Sequence, residues 1–312
     1  MTKKCLLSLF LMLICTAAFG QESRNAIRDA SFERGINIAA PSPLADTVCG
    51  AMLPDSTKTA VWTLRQYNSK FNMAAFSYEK WMGKHIYTLA GNGNMPAKVV
   101  TINPKAASLT LECNASAEYT GIRRKDQPWI YMTVDAPTDT VLLGLCKGLK
   151  LSFNGKISSW EDCMGPLADK AVHASTCVFS LRLRNVNRES RLWGRTFTIA
   201  MILFDNRLTG SASEPIVLEP DLAAEGEFVY CPQSALYIGG SGRLPKARQA
   251  FTVSADMLQI VSTALKEARE DAAIGDSYPA EWEIVGCSFG WEMTGTYNAA
   301  LELSNLNLTV SR

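Results

Sequence analysis

Three short segments carry side chains suited to chemistry. Asp205 and Arg207 directly follow the apolar run Thr196 to Phe204, and a carboxylate beside a guanidinium offers acceptors and donors in fixed geometry, able to hydrogen-bond sugar hydroxyls. Glu118-Tyr119 and Trp291-Glu292 each join an aromatic ring to a carboxylate. Such rings stack on sugar faces while carboxylates take the hydroxyls, and two carboxylates about 5 to 10 Å apart could instead do acid/base work on a glycosidic bond. Each segment also has a plainer account. Asp205 and Arg207 would form a salt-bridged turn after a core strand, and Trp291 would be core with Glu292 alternating outward into water. The two histidines, His85 and His173, lie far apart without a Ser nucleophile motif or metal-type partner, so neither a Ser/His/Asp hydrolase nor a metal site is expected, and no cofactor. Arg123-Arg124-Lys125 reads as a solvated turn that could meet an acidic polysaccharide. Gly239-Gly240-Ser241-Gly242 lacks the Lys-Ser/Thr of a phosphate loop and reads as a mobile turn.

The elements that would position these residues are mostly strands. From Val61 onward, short apolar runs alternate with Gly, Asn and Pro at regular intervals, as in an all-β domain. Cys177, Phe179, Leu181 and Leu183 point one way and Ser180, Arg182 and Arg184 the other, giving that strand one wet face. Phe197 to Phe204 is apolar nearly throughout and should be covered on both sides. Near the C-terminus, two long strands, one from Trp282 and one from Tyr297 to Val310, are expected as a hairpin inside a sheet, joined across Gly290-Trp291-Glu292-Met293-Thr294-Gly295. The apolar phase of the second slips by one at Ser304-Asn305, which marks a bulge. One helix is expected near residues 254–270, capped by Ser254 with Asp256 in its first turn. Its stripe of Met257, Ile260, Val261, Ala264, Leu265 and Ala268 would plug a sheet or barrel end. A weaker helical turn is expected around Trp160-Glu161-Asp162. The fold class is thus all-β, a two-sheet antiparallel β-sandwich of the jelly-roll kind with one amphipathic plug helix.

Residues 1–20 read as a signal peptide, with Lys3 and Lys4, the apolar run Leu6 to Ile14 and small residues before a cut near Gly20. The run is too short to span a membrane. Ile14 ahead of Cys15 argues against a lipid anchor, so the protein should be exported and soluble, in the periplasm or outside the cell. Residues 21–60 read as a surface-wrapped leading segment and 61–312 as the sandwich domain. The chain has 31 Lys+Arg against 30 Asp+Glu; without Lys3 and Lys4 the count is 29 against 30, a net charge near −1 that favours neither nucleic acid nor anionic lipid. Cys49, Cys113, Cys146, Cys163, Cys177, Cys231 and Cys287 remain after the signal, an odd number without zinc-type spacing. Their pairing is open, and small buried hydrophobes with at most one bridge is the simplest reading.

The overall pattern resembles the concanavalin A-like lectin/glucanase sandwiches that polysaccharide-using bacteria secrete. Three pieces resemble an uncharacterised family of that type: Ala117-Glu118-Tyr119 ahead of Pro128-Trp129, Phe204-Asp205-Asn206-Arg207, and Gly290-Trp291-Glu292 with Gly295. The likeness spans most of residues 60 to 310. There are two departures from it. No Glu-x-Asp-x-x-Glu or Glu-x-Asp-x-Glu strand of retaining glucanases is present, nor an Arg-x-Glu-Leu-Arg run of sandwich-type lyases. The resemblance implies an exported protein whose partner is a polysaccharide or oligosaccharide, bound by Glu118, Tyr119, Asp205, Arg207, Trp291 and Glu292. The alternatives are a glycoside hydrolase or polysaccharide lyase on the same fold, or a non-enzymatic surface interaction subunit.

Overall fold

The computed structural model describes residues 23–41, 46–93, 95–119, 121–218, 228–270 and 277–312. The expected signal peptide and its cleavage site lie outside the described residues. No helix among the described residues is long and apolar enough to cross a membrane.

The chain runs β1 (Ser23–Asn25), β2 (Ile36–Ala39), β3 (Val48–Met52), β4 (Trp62–Arg65), β5 (Ser77–Trp81), β6 (Lys84–Ala90), β7 (Pro96–Asn103) and β8 (Ser108–Asn114). A single helical turn, α1 (Ala115–Glu118), precedes β9 (Ile130–Ala136), β10 (Val141–Leu142), β11 (Gly148–Asp162), β12 (Ser175–Asn185) and β13 (Thr196–Asp205). Then come β14 (Ile216–Leu218), β15 (Phe228–Cys231), β16 (Ala250–Asp256), α2 (Met257–Glu270), β17 (Trp282–Met293) and β18 (Tyr297–Ser311). An eight-stranded sheet has the order β16-β11-β18-β8-β7-β6-β5 with β1 also on β18, and a ten-stranded sheet the order β14-β15-β13-β12-β17-β9-β4-β2-β3 with β10 also on β17. Pairing is antiparallel except for β13 with β15 and β2 with β4. The protein is therefore an all-β, two-sheet sandwich.

The inward faces make one core. On β17, Trp282, Ile284, Phe289, Trp291 and Met293 are buried, and on β12 so are Cys177, Phe179, Leu181 and Leu183. They meet Leu301 and Leu303 of β18, Val100 of β7 and Leu111 of β8. Phe153 of β11 stacks on Phe179 of β12 across the two sheets at 5.6 Å. Each such fully buried side chain contributes roughly 1.5–3 kcal/mol through removal from water. The phase slip in β18 is a bulge. Asn305 sits at φ 55°, and the register with β11 shifts from Ser304↔Asn154 to Asn307↔Ser152.

Several details differ from the sequence reading. β17 and β18 do not form a hairpin: β17 lies between β12 and β9 in one sheet and β18 between β11 and β8 in the other, and Gly290 to Met293, expected in the connecting turn, are the paired end of β17. Both strands are central, and alternation along a strand cannot tell which sheet it joins. The long helix begins at Met257, because Ser254 pairs with Ser152 in β16; the side chain that receives an early helical N–H is Asp256, from Gln259 at 3.1 Å. Trp160-Glu161-Asp162 is strand, not helix, and closes β11 against Ala299, Asn298 and Tyr297. Within the leading segment, β2 and β3 belong to the ten-stranded sheet, and Phe32, Ile36 and Ile38 are fully buried. Arg123 is buried rather than solvated. It donates to Thr294 O at 2.9 Å and to Gln127 O, and its own carbonyl lies 3.0 Å from His173 Nε2. The seven described cysteines are all free thiols.

Candidate functional site

Strand alternation sends one face of the ten-stranded sheet away from the core. There, registers set four residues side by side on adjacent strands: Asp205 of β13, Thr176 of β12, Glu292 of β17 and Tyr131 of β9. Neighbouring strands lie about 4.8 Å apart, so the backbones at Asp205 and Glu292 are separated by about 10 Å, with Thr176 between them. The next row towards the centre holds Val178, Gly290 and Thr133, and the one after it Ser180, Ser288 and Asp135. Small side chains thus floor the face beside Glu292. Gly290 is required there, since a Cβ on it would stand 2.1 Å from Met132 O. That close approach keeps β9, and with it Tyr131, against β17.

Burial pushes the Glu292 carboxyl above its ordinary value, with no cation contributing to the shift. A carboxyl so desolvated favours its protonated form, which can donate a hydrogen bond or a proton. Beside it, Tyr131 packs edge-on to Tyr67 at 6.1 Å and lies 6.1 Å from Trp129, whose ring is 43% exposed. Burial and the neighbouring Glu292 push the Tyr131 hydroxyl up to about 12. The buried Arg123 guanidinium lies 5.8 Å from the Trp129 ring centre. The backbone secures this aromatic group: Tyr131 N–H donates to Tyr67 O at 3.2 Å, and Asn68 Nδ2 donates to Trp129 O at 2.9 Å.

Asp205 is buried under Arg207, which grips it as a fork, Nε to Oδ1 at 2.9 Å and Nη2 to Oδ2 at 2.6 Å. The Arg207 backbone N–H adds a third bond to Oδ1 at 2.8 Å, so the pair also closes the turn after β13. Thr176 Oγ1 lies 3.4 Å from Asp205 Oδ2. Hydrogen bonding to Asp205 holds the Arg207 guanidinium above its ordinary value, and Arg207 itself remains partly exposed.

The other expected residues point elsewhere. Trp291 is wholly within the core and donates from Nε1 to Leu111 O of the opposite sheet at 3.0 Å. Glu118 is buried between the sheets, where its carboxylate meets Lys98 Nζ at 3.3 Å and accepts from Ser69 Oγ and from Lys70 N at 2.8 Å. Tyr119 is buried too and donates to Pro128 O at 2.9 Å. The structure therefore brings together Asp205, Arg207 and Glu292, and leaves Glu118, Tyr119 and Trp291 in packing roles. The aromatic surface comes instead from the exposed Trp129 and the half-buried Tyr131 and Tyr67. Sequence reasoning passed over these, although the alternation of Trp129, Tyr131 and Thr133 against Ile130, Met132 and Val134 marks them as one face of a strand. Both histidines are buried, His85 against Tyr78 Oη at 2.9 Å and His173 against Arg123 O. No group of three His, Cys, Asp or Glu side chains among the described residues is placed to hold a metal ion. A depression of about 530 Å³ on the other sheet, bordered by Lys150, Asp256 and Thr309, has no aromatic lining.

No family model matches the chain, and no curated protein does. Solved structures give a distant likeness. An endoglucanase from Rhodothermus marinus is 10% identical, with 76% of this chain and 100% of that chain covered at a TM-score of 0.38. A family 12 xyloglucanase from Bacillus licheniformis in complex with ligand is 13% identical, with 80% and 100% covered at 0.38. A metagenome-derived glycoside hydrolase family 12 endoglucanase is 12% identical, with 76% and 98% covered at 0.38. At this level of likeness no residue role passes from those enzymes to this chain.

Proposed function

We propose that this protein binds a polysaccharide on the outward face of its ten-stranded sheet, at the end marked by Glu292, Tyr131 and Trp129. The observation that carries the reading is the adjacency of a desolvated carboxyl and a partly exposed aromatic cluster on a floor of Ser288, Gly290, Thr133 and Ser180. Aromatic faces and convergent polar groups are what sugar rings require. Arg207, partly exposed and held by the buried Asp205, supplies further donors at the same edge. The reading includes export, with residues 1–20 removed near Gly20 and no lipid on Cys15, and no nucleic acid as partner.

Glycoside hydrolysis is the second reading, and the raised carboxyl of Glu292 favours it. A protonated Glu292 is a proton donor for a leaving sugar oxygen, and Asp205, two strands away and gripped by Arg207, is the second carboxylate of that row. A glycan array with reducing-sugar assays on the hits tests both. Binding of at least one polysaccharide, weakened about tenfold in Trp129→Ala, is expected for an aromatic anchor. New reducing ends that disappear in Glu292→Gln would establish the hydrolase. If no polysaccharide is retained by the intact protein, the proposal fails.

A further inference from the structure

The β12–β13 hairpin concentrates positive charge that the near-neutral total conceals. Residues 182–195 contain five arginines, Arg182, Arg184, Arg188, Arg191 and Arg195, against one acid, Glu189, while the whole chain has 31 basic and 30 acidic residues. All five arginines are exposed. Arg184 is matched by Glu283 of β17, but among the described residues no ion pair engages Arg188, Arg191 or Arg195. Trp193 stands between the last two and is 59% exposed.

The hairpin holds these side chains on a fixed frame. Three tight turns close it, Ser190 N to Asn187 O at 3.0 Å, Trp193 N to Ser190 O at 3.1 Å and Arg195 N to Leu192 O at 2.8 Å. Leu192 packs against the core, and Asn187 Nδ2 donates to Glu281 Oε1 at 2.8 Å. Arg182 and Arg184 lie on the same outward face as Glu292, paired across β17 with Gly286 and Glu283. Nine residue steps along the strand take Glu283 to Glu292, about 30 Å, so the cationic hairpin and the carboxyl-aromatic end are opposite ends of one face.

We infer that the hairpin binds an acidic polysaccharide, so that the polymer crossing this face carries carboxylate or sulfate groups. The inference rests on the glycan reading of the same face and names its substrate class. Guanidinium forks bind carboxylate and sulfate oxygens in pairs, and an exposed indole among them offers a sugar ring a stacking surface.

The test is affinity electrophoresis and calorimetry of the whole protein with polygalacturonate, chondroitin sulfate, neutral xyloglucan and double-stranded DNA, at low and high salt. At least one acidic polysaccharide should bind, about tenfold more weakly in the Arg188→Ser/Arg191→Ser/Arg195→Ser variant and more weakly at high salt, as expected when exposed charges are screened. An Arg→Lys triple variant, which keeps the charge but loses the fork, should bind between the native protein and the serine variant and keep the salt dependence; loss of the salt dependence in the lysine variant would refute charge recognition. Binding to xyloglucan alone, untouched in the serine variant, would overturn the inference and leave the glycan reading standing. Failure to bind any polysaccharide would sink both. DNA bound as tightly as the acidic glycans would show a general polyanion patch and reject the glycan assignment.

Discussion

The buried ion pair between Lys98 and Glu118 yields the most exacting prediction. Both side chains are almost completely removed from water, at 1% and 2% exposure; the pair joins α1 to β7, and both side chains also bond to the loop after β4, Glu118 accepting from Ser69 Oγ and Lys70 N and Lys98 donating to Phe71 O. Desolvation lowers the Lys98 pKa while the nearby Glu118 charge opposes the shift, so the ammonium depends on its partner. Lys98→Met would strand a buried carboxylate that still keeps Ser69 Oγ and Lys70 N, which points to the lower end of the range for breaking a buried pair, about 3 kcal/mol. Glu118→Leu leaves the ammonium its bonds to Ser69 Oγ and Phe71 O but removes its counter-charge and the acceptor of Ser69 and Lys70, and should cost about 4 kcal/mol. The double variant leaves no buried charge and should lose clearly less than the sum, about 3 kcal/mol. Urea denaturation of the four proteins at neutral pH gives the cycle directly. Single losses below about 1 kcal/mol that simply add would mean that the pair is solvated, and the reasoning would be refuted. The same loop supplies Tyr67 and Asn68 to the aromatic cluster, so Lys98→Met should also weaken any glycan bound there.

The remaining predictions concern the outward face and the helix. Because Glu292 has a raised pKa, the folded state holds more protons than the unfolded one between the ordinary value of 4.5 and the raised one; stability should fall as pH climbs through that window. Glu292→Gln should lack this part of the slope, and superimposable melting curves against pH for the two proteins would contradict it. Gly290→Val should destabilise by about 3 kcal/mol, since its Cβ meets Met132 O; an unchanged melting temperature would mean that β9 and β17 separate freely. Leu265→Asp should cost about 4 kcal/mol, because Leu265 is buried on α2 and an aspartate there has no partner; a near-neutral result would show the helix undocked.

Periodicity alone determined much of this protein. Cys177, Phe179, Leu181 and Leu183 against Ser180, Arg182 and Arg184 fixed both faces of β12, and the stripe from Met257 to Ala268 fixed the buried side of the one long helix. The slipped phase at Ser304-Asn305 marked the bulge, because one extra residue in a strand inverts every side chain after it. Alternation says which residues share a face but not which strand lies alongside, since pairing is a contact between segments distant in sequence. Tertiary structure therefore decided that β17 and β18 part into different sheets, that Glu118 turns inward to Lys98, and that Asp205, Thr176, Glu292 and Tyr131 align in one row. The raised carboxyl of Glu292 belongs to the same class of fact. Desolvation depends on the side chains packed around a group, and those come from strands that only the folded chain brings together.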